Sequence, residues 1–284
     1  MSKPIVLATR RSPLAMRQSL LVASRIEEEI GRKVSLFPMV TTGDRQSDWS
    51  LEKAGGKGLF TKELELALLD GRADLAVHSA KDMPTEMPAG LGLVAFLPRE
   101  DPADVLVLKE GVDQPRTIAT GSPRRRAQAA NLFAEAKWIE LRGNVETRLQ
   151  KIAQGTEAEA TLLAAAGLKR LNIKHFPGLT FRKLNLDEMV PAPGQGAIAI
   201  QARTEQEELF LKINDLETAN AVSIERVVLR AFGGGCQVAL GAHYSASMDK
   251  LSFFHQKCGI KSLKIAGRKQ SDWIDELIQW TLSK

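Results

Sequence analysis

The stretch Leu75-Ala76-Val77-His78-Ser79-Ala80-Lys81-Asp82-Met83-Pro84 begins as an apolar run and ends in charged residues. A short apolar run of this kind predicts a buried strand, and the pair Lys81-Asp82 stands where that strand would end. The same pattern recurs in residues 117–126 and 138–144, and helical segments follow both. Strands that alternate with helices predict an α/β fold with parallel, doubly wound sheets, which bind ligands beyond the carboxyl ends of their strands.

The N-terminal residues predict a complete strand, turn and helix. A strand over residues 5–9 leads into a turn in which Ser12 is followed by Pro13, a pair typical of a helix start. Apolar residues then recur at four-residue spacing, at Val22, Ile26 and Ile30, until Gly31 ends the helix.

The predicted strand ends carry a common set of polar and charged side chains, namely Arg10, Ser12, Lys81, Asp82, Ser122, Arg124, Arg125 and Arg142. We expect these groups to converge on clefts, because the carboxyl ends of parallel strands meet at one edge of a sheet. Guanidinium groups favour anions, and each charge-assisted hydrogen bond contributes roughly 1.5–3 kcal/mol. The expected ligand is therefore a multiply charged carboxylate or phosphate. For residues 124–126 taken alone, a solvated first helical turn is an equal alternative.

Composition limits the class of protein. The chain has 284 residues, of which 44% are hydrophobic, enough for two or three domains with apolar cores. Its two cysteines, Cys236 and Cys258, have no metal-ligand spacing, so neither a metal site nor a disulfide framework is expected. No cleavable apolar segment follows the first residues and no run of about eighteen apolar residues occurs, which favours a cytoplasmic protein without a membrane span.

The net charge of +5 reflects a modest excess of basic residues. Many predicted helix faces carry balanced charges, which a solvated surface explains. Only 5% of the residues are aromatic and there is a single tyrosine. Because single-stranded nucleic acids bind on aromatic stacking platforms, a nucleic-acid partner is not expected.

Two glycine-rich segments stand apart from the strands and helices. The stretch Lys53-Ala54-Gly55-Gly56-Lys57-Gly58 lacks the Ser or Thr that a Walker motif needs after its lysine, so a mobile lid over residues 41–58 is favoured over a nucleotide site. In the stretch Gly233-Gly234-Gly235-Cys236-Gln237, three consecutive glycines precede a cysteine. Two explanations of the glycines stay open: a tight turn, or a backbone that lets the thiol reach into a crowded cleft.

The last third of the chain changes character after the breaker cluster at residues 191–196. Helical patterns cover residues 205–213 and 216–232, and alternating runs at 238–244, 251–256 and 262–265 predict three strands. A closing helix is predicted over residues 272–282. This part is expected to be a small α+β module with a three-stranded antiparallel sheet.

Taken together, these motifs resemble the porphobilinogen deaminase (hydroxymethylbilane synthase) family over nearly the whole chain. The matching segments are residues 8–15 with Gln18, 55–60, 77–84, Arg124-Arg125 with Gln128, 141–145 with Arg148, 166–171, 194–197 and 234–238. Each is weak alone, but their joint order and spacing are specific. Gly121, Pro123, Glu159 and Ala239 depart from the usual family pattern, which leaves the side-chain donors near residue 122 open.

The resemblance implies a monomeric enzyme that joins four porphobilinogen molecules head to tail on a dipyrromethane cofactor and releases ammonia at each step. Hydrolysis then frees the product, hydroxymethylbilane. It implies two lobes like those of periplasmic binding proteins, formed by residues 1–97 with 194–208 and by residues 98–193. A third domain, residues 209–284, would carry a dipyrromethane cofactor on Cys236 through a thioether.

The resemblance also assigns roles to residues. Asp82, Lys81, Arg10 and Arg142 are implied to be catalytic, with Asp82 hydrogen-bonded to pyrrole N–H groups and stabilising the cationic azafulvene as ammonia leaves. A helix-capping role for Asp82 is compatible with this. The implied cofactor-binding residues are Cys236, Asp82, Lys81, Ser122, Arg124, Arg125, Arg142 and Gly143. The implied substrate-binding residues are Arg10, Arg11, Ser12, Lys53, Lys57, Phe60, Arg148, Arg170 and Gln195.

Two other classes of function are less consistent with the sequence. A non-enzymatic, two-lobed anion-binding protein would keep the same fold, but the lack of an export signal and the cysteine on its glycine loop count against it. A basic nucleic-acid-binding protein lacks both the aromatic residues and a binding motif.

Overall fold

The computed structural model describes residues 3–45, 59–155, 157–234 and 238–282. The N-terminal prediction is confirmed, since strand β1 spans Ile5–Arg10 and helix α1 spans Pro13–Glu29. The hydroxyl of Ser12 accepts a hydrogen bond from the Ala15 amide at 3.3 Å and so caps α1. Gly31 follows the helix with a φ of 72°, a left-handed conformation that glycine adopts without strain.

The first sheet has five strands in the order β2-β1-β3-β10-β4. Its other strands are β2 Val34–Met39, β3 Leu75–Ser79, β4 Leu91–Phe96 and β10 Ile198–Arg203. β1 pairs in parallel with both β2 and β3, so the carboxyl ends of these strands share one edge. Arg10 ends β1 and Lys81 follows β3 at that edge.

Helices cover both faces of the first sheet. Val22 and Ile26 of α1 pack against one face, in a core cluster that includes Leu7 of β1. Helix α3, Lys62–Leu69, packs through Leu64 against the other face, where Ala8 belongs to a second cluster. Successive residues of β1 thus serve opposite cores, as the two-residue period of a strand requires.

The second sheet also has five strands, in the order β7-β6-β8-β5-β9. They are β5 Asp104–Lys109, β6 Thr117–Ala119, β7 Lys137–Ile139, β8 Ala160–Ala164 and β9 Leu179–Lys183. The helices between them are α4 Pro123–Ala129, α5 Val145–Gln154 and α6 Ala165–Arg170. The α/β class with two such sheets is confirmed.

The expectation of wholly parallel sheets is wrong in one respect. β10 runs antiparallel to β3 and β4, and β5 runs antiparallel to β8 and β9. Each is the first strand that the chain forms after it crosses between the sheets. Ile198 pairs with Ser79 at the end of β3, and Asp104 pairs with Ala164 at the end of β8. Because the crossing chain enters each sheet at the edge where other strands end, it must run against them.

The C-terminal part has the predicted antiparallel sheet, in the order β11-β12-β13. The three strands are β11 Leu240–Ser245, β12 Lys250–His255 and β13 Gly259–Leu263. The helices of this part are α7 Glu207–Phe210, α8 Leu216–Ala231 and α9 Gln270–Leu282. One further short helix, α2, spans Thr42–Arg45 and belongs to the N-terminal part of the chain. The helix predicted over residues 205–213 is instead α7 between two 3-10 turns. β13 begins three residues earlier than predicted, because Gly259 pairs with His255. In the described ranges, no helix combines the length and the apolar character that crossing a bilayer requires.

The chain crosses from the first sheet to the second between β4 and β5, and it returns between β9 and β10. Both crossings contact Glu225 of α8. Arg99, in the first crossing, donates to the Glu225 carboxylate from Nη1 at 2.6 Å and from Nη2 at 3.0 Å. The amide of Gly194, in the second crossing, donates to it at 2.7 Å, and the amide of Tyr244 in β11 donates at 2.9 Å. Since Glu225 is fully buried, one carboxylate ties the C-terminal part to both crossings.

Candidate active site

A cavity of about 1690 Å³ lies at the strand ends of the first two sheets and reaches the glycines after α8. Pockets for ordinary small molecules measure roughly 300–1,000 Å³, so this cavity suits a larger ligand. The predicted site residues that line it are Arg10, Arg11, Ser12, Phe60, Lys81, Asp82, Ser122, Arg124, Arg125, Arg142, Gly143, Arg148 and Gln195. The structure thus brings most of the predicted set to one place.

The cavity wall carries more positive than negative side chains. Nine Lys or Arg residues line it against five Asp or Glu residues. In the part of the chain that the structure describes, no group of three or more His, Cys, Asp or Glu side chains could hold a metal ion. The excess of cations favours a ligand with several carboxylates or phosphates.

Arg10 is already paired within the protein. Its Nη2 atom lies 2.5 Å from Oδ1 of Asp44, and its guanidinium stacks 4.2 Å above the centre of the Phe60 ring. Asp44 belongs to α2 and also accepts a hydrogen bond from Oγ1 of Thr41 at 2.8 Å. Burial opposes ionisation of Asp44, but the hydrogen bond and charge of Arg10, with the hydrogen bonds from Thr41, hold its pKa below the usual value.

Arg124 and Arg125 are held by one buried carboxylate. Nη1 of Arg124 lies 2.7 Å from Oδ2 of Asp104, and Nη2 of Arg125 lies 2.7 Å from Oδ1. Nη1 of Arg125 also donates to the Leu162 carbonyl at 2.8 Å. Asp104 is fully buried, and although burial acts against ionisation, the charges of the two arginines hold its pKa well below the usual range. Two cations share one anion here, so one net positive charge remains at the cavity wall.

Lys81 joins this network through Gln195. Nζ of Lys81 donates to Oε1 of Gln195 at 3.4 Å, and Nε2 of Gln195 donates to the Pro102 carbonyl at 2.7 Å and to Oδ1 of Asp104 at 3.1 Å. Burial, followed by the nearby charge of Arg125, lowers the pKa of Lys81 to about 8. Lys81 is thus a cation that can release its proton close to neutral pH.

Asp82 is an exposed carboxylate on the cavity wall. It ends the 3-10 turn Ala80–Asp82 that follows β3. With Ser79 at the N-cap position, Asp82 is the third residue of the turn and stands in its first turn, where a carboxylate can cap. The capping role stays a prediction.

The loop after β7 and the first turns of α5 carry two more predicted cations, Arg142 and Arg148. Arg142 lies 3.8 Å from Oε1 of Glu140, and Nε of Arg148 donates to the Gly143 carbonyl at 2.8 Å. Gly143 has a φ of 113°, which only glycine adopts readily. Burial, with the charges of Arg125 and Arg142, lowers the pKa of Arg148 to about 10.

Some predicted residues are not brought to the cavity. Arg170 does not line it, since its Nη2 atom donates to the Gly196 carbonyl at the second crossing, and burial lowers its pKa to about 10. Lys53, Lys57 and Cys236 lie outside the described residues, and their roles stay predictions. Gly233 and Gly234, which precede the cysteine, do line the cavity.

Asp44 and Asp104 are the site residues that sequence reasoning missed. Asp104 opens the apolar strand Asp-Val-Leu-Val-Leu, and a carboxylate at the start of a buried strand needs a cationic partner. That signal was available, although the partner could not be named. Asp44 stands beside Gly43 in the segment predicted to be a lid, and nothing in the sequence connects it with Arg10.

Distant resemblances to solved structures accompany these features. The periplasmic VFT2 domain of Bordetella pertussis BvgS is 17% identical, with a TM-score of 0.43, and the match covers 77% of this chain and 92% of that one. The effector-binding domain of BenM with benzoate is 12% identical, with a TM-score of 0.43, and the match covers 75% and 91%.

Comparison with sequences is decisive. Residues 5–210 match the family model described as "Porphobilinogen deaminase, dipyromethane cofactor binding domain". The chain is 43% identical over 264 residues to a porphobilinogen deaminase of Caulobacter sp. strain K31, with 88% of this chain and 81% of the relative covered. It is 44% identical over 267 residues to that of Caulobacter vibrioides, with 88% and 82% covered. The chain therefore belongs to the porphobilinogen deaminase family, whose model is that of a dipyrromethane-binding domain.

Proposed function

We propose that the chain is a hydroxymethylbilane synthase, which condenses four porphobilinogen molecules head to tail and releases one ammonia at each step. Water then cleaves the bond to the cofactor and supplies the hydroxyl group of hydroxymethylbilane. The observation that carries the proposal is the placement of the exposed carboxylate of Asp82, just beyond the end of β3, in a cavity lined by excess cations. Each substrate ring brings two carboxylates, so a growing chain multiplies negative charge. The cations supply the opposite charge.

The wall of the cavity fits a dipyrromethane with its acetate and propionate groups. Asp104 neutralises only one of the two buried arginines beside it, and Nε of Arg124 is buried without a hydrogen-bond partner among the described residues. The residues proposed to hold the group are Lys81, Asp82, Ser122, Arg124, Arg125, Arg142 and Gly143, with Cys236 as the thioether link. When bound, the group supplies the pyrrole carbon to which the first substrate is joined.

Asp82 is proposed to act on the reacting ring. Its carboxylate accepts a hydrogen bond from the pyrrole N–H and stabilises the positive charge that develops on the substrate as the C–N bond breaks and ammonia leaves. Lys81, with a pKa near 8, lies next to it and supplies a cation or a proton at the same edge.

The remaining predicted residues are proposed to bind substrate carboxylates and the ring face. These are Arg10, Arg11, Ser12, Lys53, Lys57, Phe60, Arg148, Arg170 and Gln195. We further propose a monomer in the cytoplasm, with functional units at residues 1–97 with 194–208, 98–193 and 209–284.

The test combines the intact mass of the acid-denatured protein with ammonia release from porphobilinogen. Wild type should carry a covalent increment that matches a dipyrromethane, and Cys236→Ser should lack both the increment and activity. Cys258→Ser is the matched control, because Cys258 is a half-buried thiol whose pKa is raised by burial and which packs on the C-terminal core. An increment retained on Cys236→Ser would refute the attachment site. Porphobilinogen binding without ammonia release by wild type would indicate a binding protein.

A further inference from the structure

Helix α8 holds the backbone that immediately follows Asp82. Arg226 of α8 donates from Nη1 to the Met83 carbonyl at 3.2 Å and from Nη2 to the Pro84 carbonyl at 2.7 Å. One guanidinium therefore bonds two consecutive carbonyl groups, which fixes the direction of the backbone as well as its distance from the helix. We call residues 80–86 the Asp82 segment.

Two further contacts fix the Asp82 segment against α8 and its exit. The Met83 side chain is 2% exposed and belongs to the same core cluster as Val222 of α8. Arg230, in the last turn of α8, donates to the Thr85 carbonyl at 3.3 Å. At Gly234, beyond the helix, a Cβ atom would stand 2.6 Å from Oγ1 of Thr85, so this loop packs directly on the segment.

These contacts join two parts of the proposed chemistry that are far apart in sequence. Asp82 is the residue before Met83, whose carbonyl accepts the hydrogen bond from Arg226. In the sequence, α8 is followed by Gly234 and then by Cys236. Burial, and then the charge of Arg230, lowers the pKa of Arg226, so this cation is partly removed from water. Its N–H groups donate hydrogen bonds to the backbone carbonyls of Met83 and Pro84 at the cavity wall.

We propose that Arg226 is a positioning residue for the reaction: it holds the Asp82 carboxylate at a fixed place relative to the end of α8, from which the chain leads to Cys236. The inference rests on the proposed function, in which Asp82 acts on the reacting ring. A misplacement of about 1 Å can cost a reaction on the order of a hundredfold, so loss of this grip should lower kcat far more than it alters KM.

The experiment compares Arg226→Met with Arg203→Met in the cofactor-loaded full chain. Arg203 of β10 is a matched control, because its Nη1 atom also donates to two backbone carbonyls, those of Leu68 and Ala73, but away from the cavity. In Arg226→Met, kcat for ammonia release should fall about ten- to a hundredfold, with KM within about threefold and the covalent mass retained. In Arg203→Met, kcat should stay within about twofold.

A double variant separates positioning from a general structural effect. If Arg226 acts through Asp82, then adding Arg226→Met to Asp82→Asn should slow single-turnover ammonia release by less than about threefold, because the group it positions is already disabled. Arg226→Lys, which keeps the charge but loses the fork, should be intermediate, and it decides the matter if Arg226→Met does not fold.

Three outcomes would overturn the proposal. They are a kcat within threefold of wild type in a loaded Arg226→Met, or a kcat equal to that of wild type in a loaded Arg226→Lys where Arg226→Met does not fold, an equal loss in Arg203→Met, or losses that multiply fully in the double variant. Failure of the proposed function looks different, since wild type itself would then release no ammonia.

Discussion

Oδ1 of Asp44 lies 2.5 Å from Nη2 of Arg10, so this proposed substrate-binding arginine carries its own counter-ion in the structure. A substrate carboxylate that binds Arg10 must displace Asp44 or share the guanidinium with it. We therefore predict that Asp44→Asn lowers KM for porphobilinogen about two- to tenfold, with kcat nearly unchanged, since a charged pair this exposed contributes about 1 kcal/mol.

The control for Asp44→Asn is Glu63→Gln. Oε1 of Glu63 accepts hydrogen bonds from the amide and the hydroxyl of Thr42, so this change loosens the same short helix without touching the charge on Arg10. A KM that rises in Asp44→Asn, or falls equally in Glu63→Gln, would contradict the prediction.

Arg125 and Arg142 should respond differently to replacement by lysine. Nε and Nη2 of Arg125 bond Asp104 and Nη1 bonds the Leu162 carbonyl, so Arg125→Lys leaves buried acceptors unsatisfied and should destabilise the fold by about 1–3 kcal/mol. Arg142 lines the cavity and forms a partly exposed ion pair with Glu140 at 3.8 Å, a kind of pair that lysine can keep at little cost, so Arg142→Lys should destabilise the fold less than Arg125→Lys. Its effect should instead appear in cofactor loading or elongation, about five- to 150-fold.

Urea unfolding and acid-denatured mass spectra distinguish the two arginines. Equal destabilisation of both variants would mean that Arg142 is also part of the scaffold. Full loading and wild-type turnover in both would remove these arginines from the ligand site.

The strand-to-turn pattern could be predicted because it is local. Ser12 caps α1 and Ser122 caps α4, because each hydroxyl accepts a hydrogen bond from the amide three residues later. In both places an arginine stands within two residues of the capping serine, in the segment that follows a strand. Parallel pairing of β1 with β3 then brings Arg10 and Lys81 to one edge. Each step depends on residues that are neighbours in sequence or on a general rule for parallel strands.

The partners of those cations could not be predicted, because they are chosen by the tertiary fold. Asp104 reaches Arg125 only because β5 enters the second sheet beside β8, in a direction set by the crossing from the first sheet. The sequence therefore predicted two arginines at a strand end, but it could not show that both pair with one buried carboxylate. Arg170 is a similar case, since its carbonyl partner at Gly196 belongs to the second crossing.

Acid should destabilise the fold through His78. This histidine of β3 is buried, and its Nε2 atom lies 3.1 Å from Oε1 of Gln201. Burial is the main cause that lowers its pKa from 6.5 to about 4. Between these values the unfolded chain binds a proton that the folded chain does not, so stability is present above pH 6.5 and is lost as pH falls.

The measurement is the free energy of unfolding at pH 7 and pH 5, for wild type and for His78→Gln. The glutamine amide can still donate to Gln201 but does not titrate. The loss between the two pH values should be smaller in the variant by about 2 kcal/mol, given 1.4 kcal/mol per pKa unit. Identical pH dependence in the two proteins would mean that His78 binds its proton equally well in the folded and unfolded chains, which contradicts the prediction.

Asp82 should matter most in the transition state. It is an exposed carboxylate beside cations, and the charge it faces appears only as the substrate ring becomes positive and ammonia departs. Asp82→Asn keeps the shape and one hydrogen-bond acceptor but removes the charge. We predict a folded protein that still binds porphobilinogen, with kcat lower by at least about a hundredfold, the range for losing one electrostatic or acid–base group. Asp82→Glu, which displaces the charge by one methylene, should be intermediate and should accumulate partial chains visible as stepwise mass increments.

The decisive measurement is single-turnover ammonia release from cofactor-loaded Asp82→Asn, beside Glu146→Gln as the matched control. Glu146 is another exposed carboxylate on the cavity wall, in the first turn of α5, and has no proposed part in the chemistry. Its loss tests whether any negative charge in the cavity produces the same effect through the general field. If both variants slow alike, the effect belongs to the summed charge of the wall. If Asp82→Asn reacts within a few fold of wild type, the proton and the charge stabilisation come from elsewhere, and Lys81 with its pKa near 8 becomes the first residue to test.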